Sequence, residues 1–281
     1  MRDDGFVPPS ALTACREARR EGHILYICSG RPRAYISDEI LSIGFDGIAG
    51  SGGAYIETGN TSGELPYRGK IIQNTAISAE TVKSLIAYFN KQQYGFSLEK
   101  NNIILSNRNY LYYWETILEH YVTVDTAEKL IKQINNLVKN PLPEKIEFYE
   151  ASVYEEVNKI MVTGKAGAFA DVKGKFGRVC EIFHGSIPFC DDECGEIGPP
   201  GVHKGLALKT VAEYHGISLA DTIAFGDSDN DHRMIECAGT GIAMGNARDS
   251  LKEIADDITS TLEDDGIFKG FIKHGLIQNS N

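Results

Sequence analysis

At 281 residues, with 42% hydrophobic side chains, the chain is long enough for about two domains and has the apolar content of an ordinary globular protein rather than a disordered or fibrous one. Its 28 Lys plus Arg are outnumbered by 39 Asp plus Glu, a net charge of −11, which disfavours non-specific attraction to nucleic acid or to an anionic membrane. No run approaches the roughly 18 apolar residues a membrane span needs, no basic-then-apolar leader opens the chain, and the six cysteines are scattered (Cys15, Cys28, Cys180, Cys190, Cys194, Cys237), so a cytoplasmic protein with reduced thiols is expected.

In chain order, Pro8-Pro9-Ser10 opens a helix with Leu12, Cys15 and Ala18 on one side, ending at Arg19-Arg20-Glu21-Gly22. The apolar run from His23 to Cys28 has strand length and leads into the polar loop Ser29-Gly30-Arg31-Pro32. The middle of the chain reads differently. Ser78 is placed as an N-cap, Ile77 and Val82 as a hydrophobic staple, and Val82, Leu85, Ile86 and Phe89 as one apolar helix face. A second helix is expected over Asp125 to Leu137, and strands over Phe96 to Leu105, Lys145 to Tyr149, Lys159 to Val162 and Val179 to Phe183. Breaker signals at Gly185-Ser186, Gly195 and Gly198-Pro199-Pro200-Gly201 close this part.

Beyond it the α/β rhythm returns. Lys204 to His215 carries Leu208, Val211 and Ala212 at helical spacing, and Gly216 suits the position just past the helix. The strand Thr222 to Phe225, the apolar run Gly241 to Met244 and a helix through Ile254 follow. Strands alternating with helices predict an α/β, doubly wound parallel-sheet core. The division expected is 1–75 and 196–281 for the core, with an inserted α+β module over 76–195.

Directly after the Thr222 strand stands Gly226-Asp227-Ser228-Asp229-Asn230-Asp231, where a buried strand delivers clustered carboxylates to one loop. Magnesium takes oxygen ligands, keeps several waters, and needs only one or two carboxylates plus substrate phosphate oxygens. The plainer role for such a loop is an acidic solvated turn. Parallel sheets place ligands outside the carboxyl ends of their strands, a rule that brings Ser29 and Asp227 to one rim although about two hundred positions separate them. Lys204, opening the helix before the Asp227 strand, is a third candidate. Singly, Ser29 could be a helix cap and Lys204 one solvated lysine among many. Together, hydroxyl, ammonium and carboxylates make a phosphate and magnesium site.

Those residues resemble the motifs of the haloacid-dehalogenase-like (HAD) superfamily, and within it the Cof-like class IIB phosphatases, whose Rossmann-like core carries an inserted α+β cap. Ser29-Gly30-Arg31-Pro32 resembles the second motif, Lys204-Gly205 the third, and Gly226 to Asp231 the fourth; Ser51-Gly52-Gly53-Ala54 stands where relatives often have Ser-Asn-Gly-Ala. The resemblance implies magnesium-dependent hydrolysis of small phosphorylated metabolites such as sugar phosphates through an aspartyl-phosphate. Ser29 and Lys204 would be catalytic, Ser29, Gly30, Lys204 and Asn230 would bind phosphate, and Asp227 with Asp231 would serve the metal, Asp231 as ligand or as a partner orienting the ligand. The family's first motif, Asp-x-Asp-Gly-Thr after a strand, is not matched: the chain begins Met1-Arg2-Asp3-Asp4-Gly5-Phe6. The expectation is that a strand with both acids, on the order of 15 residues, belongs upstream of Met1, and that Asp3 and Asp4 are loop acids.

Three functions follow: a phosphatase whose nucleophile motif is missing from this sequence, a catalytically dead binder of a phosphorylated metabolite, and, more remotely, a receiver-like signalling module. A lid-like insertion of roughly 120 residues, which excludes water and selects substrate, favours the first two. Partners are a small phosphorylated metabolite, with no nucleic acid and no membrane; oligomeric state is not legible. Arg108, Tyr110, Tyr112, Tyr113 and Trp114 divide between core and substrate contact in ways the sequence leaves open. His184 and His203 read as structural or solvated rather than catalytic, and Glu263-Asp264-Asp265 as a turn.

Overall fold

The computed structural model describes residues 7–36, 38–41, 43–59, 69–121, 142, 149–185 and 192–278, with 38, 39 and 117–121 described by backbone alone. These fall into two compact units. The core unit comprises Met1–Gly30, Ile36–Gln73 and His203–Asn281; the cap unit comprises Arg31–Tyr35 and Asn74–Val202. Residues 31–35, directly after the Ser29-Gly30 loop, thus group with the inserted residues and not with the core, which no breaker signal in the sequence marks.

In the core unit, α1 (Pro9–Arg20) has proline at its first turn, where the missing N–H costs nothing. It buries Ala14, Cys15 and Ala18 in one cluster with Ile48 of a four-stranded sheet and Phe271 of the last helix. That sheet runs β1 (Tyr26–Cys28), β2 (Gly47–Gly50), β3 (Tyr55–Thr58), β4 (Lys70–Asn74), in that spatial order. β1 and β2 are parallel and β2 and β3 antiparallel, with Ile48 opposite Ile27 on one side and Glu57 on the other. β1 is shorter than the apolar run from His23 to Cys28. The antiparallel extension through β3 was not read from the sequence, where four-residue runs between glycines carry little periodicity.

A second core sheet is wholly parallel. Helix α6 (Lys204–His215) leads to β10 (Ile223–Gly226), then α7 (His232–Cys237), β11 (Thr240–Ala243), α8 (Asp249–Ile254), β12 (Asp257–Ile258) and α9 (Gly266–Lys273). Ile223 pairs with Thr240 and Gly226 with Ala243, the βαβ arrangement expected of a doubly wound fold. Among the described residues no ladder joins β1 to β10.

The cap unit is an antiparallel sheet with helices. β5 (Gly95–Glu99), β6 (Ile104–Ser106), β7 (Lys159–Thr163), β8 (Glu181–His184) and β9 (Cys194–Gly198) lie in the order β6-β5-β7-β9-β8. The single strand expected over Phe96 to Leu105 is therefore a hairpin of two strands, turned at Lys100-Asn101-Asn102-Ile103, where asparagines favour a turn. One sheet face is apolar. Phe96, Leu98, Ile160, Val162 and Ile197 meet Val82, Leu85, Ile86 and Phe89 of α3 (Ala79–Gln92), and Phe169 and Val172 of α5 (Ala168–Phe176). Ser78 caps α3 by accepting from Thr81 N at 3.2 Å, as its position predicts. Helix α4 (Arg108–Tyr121) follows β6. The helix expected over 125–137 and the strand expected over 145–148 lie outside the described residues.

Candidate active site in the core unit

The acidic loop is folded back on the end of its own strand. A Cβ on Gly226 would stand 2.7 Å from the Asp231 Cβ, so the absence of a side chain there lets Asp231 return over the strand terminus. Asp231 is 3% exposed. Its Oδ2 accepts from the backbone N–H groups of Asp227 and Ser228, each at 3.0 Å, and from the Ser228 hydroxyl at 3.2 Å. Its Oδ1 accepts from Lys204 Nζ at 2.5 Å. Burial pushes the Asp231 carboxyl up, but the Lys204 ammonium and these backbone donors outweigh it, and the group is held below its ordinary value. Asn230 Oδ1 accepts from the Ser228 hydroxyl at 2.9 Å, and Asp229 pairs with Arg248 at 2.8 Å. Asp227 is exposed at the head of the loop.

Lys204 is not a solvated lysine: it is 6% exposed. Its helix begins there because His203 caps it, Nδ1 accepting from Leu206 N at 3.1 Å. Gly205 lets α6 close on α7, since any Cβ at that position would overlap the Arg233 carbonyl. That close approach carries the Lys204 ammonium to Asp231.

Ser29 directly follows β1, its N–H donating to Ala49 O at 2.8 Å and its carbonyl accepting from Gly52 N at 3.0 Å. It is not a helix cap, because the next helical turn begins only at Arg33. Gly30 follows, part-exposed. The turn Ser51–Gly53 bridges Ser29 to α6: a Cβ on Gly53 would lie 2.9 Å from the Ala207 Cβ and 3.0 Å from the His203 carbonyl. Cys28, preceding Ser29, is pushed up to about 12 by burial and feels both Lys204 and Asp231. The structure thus brings Ser29, Lys204, Asp227, Asn230 and Asp231 to one end of the core strands. Ser51 joins them without having been assigned a role. It is buried with φ of 51°, and its Oγ has no hydrogen-bond partner among the described residues. Serine before two glycines gives no sequence signal of that strain.

Chemically this is a rim with a hydroxyl, a buried ammonium–carboxylate pair and the exposed carboxylate of Asp227. Among the described residues no group of three or more His, Cys, Asp or Glu side chains is arranged to hold a metal ion. A hard cation fits through Asp227 with water and ligand oxygens completing its shell, whereas both Asp231 oxygens are already engaged, which suits it to orienting the loop.

Other candidates take structural roles. His184 stacks on Phe169 with ring centroids 3.6 Å apart, and His203 is the cap already described. Tyr110 and Trp114 are buried, Tyr112 is exposed, and the Tyr113 hydroxyl donates to Glu193 at 2.9 Å. Thr261 and Asp264 close the expected turn.

A doubly wound α/β core that gathers hydroxyl, ammonium and carboxylate at its strand ends, interrupted by an α+β insertion, is the build of a phosphohydrolase with a cap. The chain belongs to the haloacid dehalogenase-like hydrolases, whose family model matches residues 1–271, and by family it is a HAD-type phosphatase. It is 24% identical over 277 residues to the 5-amino-6-(5-phospho-D-ribitylamino)uracil phosphatase YitU of Bacillus subtilis, covering 97% of this chain and 92% of that one. Its fold matches the HAD subclass IIB sugar phosphatase BT4131 with a TM-score of 0.73 at 23% identity, over 96% of this chain and 92% of that one. A haloacid dehalogenase-like hydrolase from B. subtilis matches with a TM-score of 0.78 at 20% identity, over 97% and 95% of the two chains. No helix among the described residues is long and apolar enough to cross a membrane.

Proposed function

We propose that the core rim binds the phosphoryl group of a small phosphorylated metabolite, such as a sugar phosphate, and that the chain serves its magnesium-dependent hydrolysis. The observation that carries this reading is the buried Lys204–Asp231 pair anchored on the Asp227 loop beside Ser29. Ser29 donates to a phosphoryl oxygen, the Lys204 ammonium offsets charge on the transferring group, and Asn230 with the Gly30 backbone fixes its orientation. Asp227 is the residue to hold magnesium, which when bound neutralises phosphoryl charge. Asp231 holds Lys204 and the loop N–H groups in place. The family resemblance supports an aspartyl-phosphate route: a carboxylate oxygen bonds to phosphorus, the ester P–O bond breaks, the leaving alkoxide takes a proton, and water then cleaves the acyl phosphate.

Among the described rim residues Asp231 has both oxygens engaged and Asp227 is the cation candidate, which favours a second reading in which they bind the phosphorylated metabolite without themselves supplying the nucleophile. The free-thiol pattern supports a reducing, cytoplasmic setting: none of Cys15, Cys28, Cys180, Cys194 and Cys237 is in a disulfide.

The test is a phosphate-release screen over sugar phosphates and phosphorylated ribitylaminopyrimidines with magnesium. It is run on this chain and on one given an added apolar strand ending in Asp-x-Asp-Gly-Thr. Turnover only in the extended chain supports both parts of the reading. Equal turnover in the two would remove the missing-nucleophile argument, and no turnover in either, with no phosphate binding, would remove the phosphatase reading.

A further inference from the structure

The loop after β10 holds more carboxylate than a magnesium ion needs. Asp227, Asp229 and Asp231 stand at alternate positions, the spacing with which a calcium loop opens, where acids at the first, third and fifth places share one ion. Neighbouring members of that series lie within about 7 Å of each other along the chain, so two carboxylates can meet one cation. Magnesium takes one or two carboxylates and keeps its waters, whereas calcium gathers more oxygens in an adaptable shell. His232 stands where a calcium loop has glycine and Ala238 where it ends on glutamate, so the pattern is a half-loop and not a complete one.

The chain supplies its own cations to two of these acids. Lys204 takes Asp231 from within the core, 2.5 Å away. Arg248 takes Asp229 from outside, Nη1 lying 2.8 Å from Oδ2. The backbone that carries Arg248 is fixed. β11 runs parallel to β10 with Ala243 opposite Gly226, and Met244 N donates to Gly226 O at 2.9 Å, so both loops leave the same end of the sheet. Gly245 N donates to Ser260 O at 3.0 Å, and a Cβ on Gly245 would stand 2.7 Å from Thr261 N. Ala247 and Leu251, on either side of Arg248, are buried in one cluster with Ala224 and Ile235. His232 also flanks Asp229, Nε2 at 4.0 Å from Oδ1, and lies 3.4 Å from the Ser250 hydroxyl. The Arg248–Asp229 pair is open to water, with 48% and 34% of the two side chains exposed. Such pairs add little to stability, so its consequence lies in what it withholds from the loop.

We propose that Arg248 determines metal specificity: by occupying Asp229 it keeps the cation site at one carboxylate, Asp227, and so selects magnesium over calcium. The inference rests on the reading that Asp227 holds magnesium. Without the guanidinium, Asp229 becomes a second carboxylate two positions from Asp227, and the loss of one positive charge draws any divalent cation more strongly. The added ligand favours calcium more, because magnesium completes its shell with water and phosphate oxygens while calcium gains from every further protein oxygen.

The test is competition of Mg2+ and of Ca2+ against bound Mn2+, followed by the Mn2+ EPR signal, on the full chain at pH 8 so that imidazole charge plays no part. Arg248→Met should raise the ratio of calcium to magnesium affinity about tenfold. Arg248→Lys, which keeps the charge, should stay near the wild type, and Asp229→Asn added to Arg248→Met should return the ratio to the wild-type value. Metal-free melting temperatures of all three should lie within a few degrees of the wild type, as expected for an exposed pair. An unmoved ratio in Arg248→Met, or an equal fall in affinity for both metals, would overturn the proposal, the equal fall being the mark of a purely structural clamp. A wild type that binds magnesium with a ratio indifferent to Arg248 refutes this inference alone; a wild type that binds no divalent cation removes the magnesium reading and this inference together.

Discussion

Asp231 anchors two things at once, the Lys204 ammonium and the N–H groups that shape the Asp227 loop. Because the pair is buried, removing one partner strands a charge, which costs about 3–5 kcal/mol. Lys204→Ala should therefore weaken both folding and phosphate binding, whereas Lys204→Met with Asp231→Leu should regain most of the stability and none of the binding. Urea unfolding beside phosphate titration checks this, and a double variant that still binds phosphate would contradict it. The pair also sets a pH dependence. The folded Asp231 carboxyl lies below its ordinary value of 3.8, so its contribution is complete above that pH and is lost as pH falls through the lower, folded value. Stability curves of the wild type and Asp231→Asn should converge only in that acid range; convergence already near neutrality would show that the carboxylate contributes nothing. Residue types and spacing made Ser29, Lys204 and the Asp227 loop legible. The burial of Lys204 was not, because it follows from how closely two helices approach.

That approach is set by an element contact. Gly205 on α6 faces the Arg233 carbonyl of α7 without room for a methyl group. Gly205→Ala should force the helices apart, cost roughly 1–3 kcal/mol, and weaken phosphate binding by displacing Lys204. An unchanged melting temperature would show that the helices yield freely. Sequence periodicity found α3 well, since Val82, Leu85, Ile86 and Phe89 are all fully buried and a helix with one apolar stripe announces its packing face. It did worse from 95 to 106, where an unbroken β-like stretch hid a hairpin, and between 47 and 58, where β2 and β3 are too short for alternation to register. The Glu99–Lys159–Glu196 cluster of the cap sheet was invisible for a related reason: its members stand on three strands, are modest singly, and meet only after register brings them together.

Across the whole molecule, the two core sheets each present an edge, β1 and β10, with no ladder between them among the described residues. Both edges share apolar surroundings, Ile27 and Phe225 packing into one cluster with Phe271. In the proposed function, phosphate and cation share the rim formed by Ser29, Lys204 and Asp227. Calorimetric titration of inorganic phosphate with and without magnesium measures that directly. Each should tighten the other by a common factor, about 5–150-fold for coupled sites, and Asp227→Asn should erase the coupling while leaving a weaker, magnesium-independent phosphate affinity that Lys204→Met removes. Phosphate affinity indifferent to magnesium and to both substitutions would contradict it.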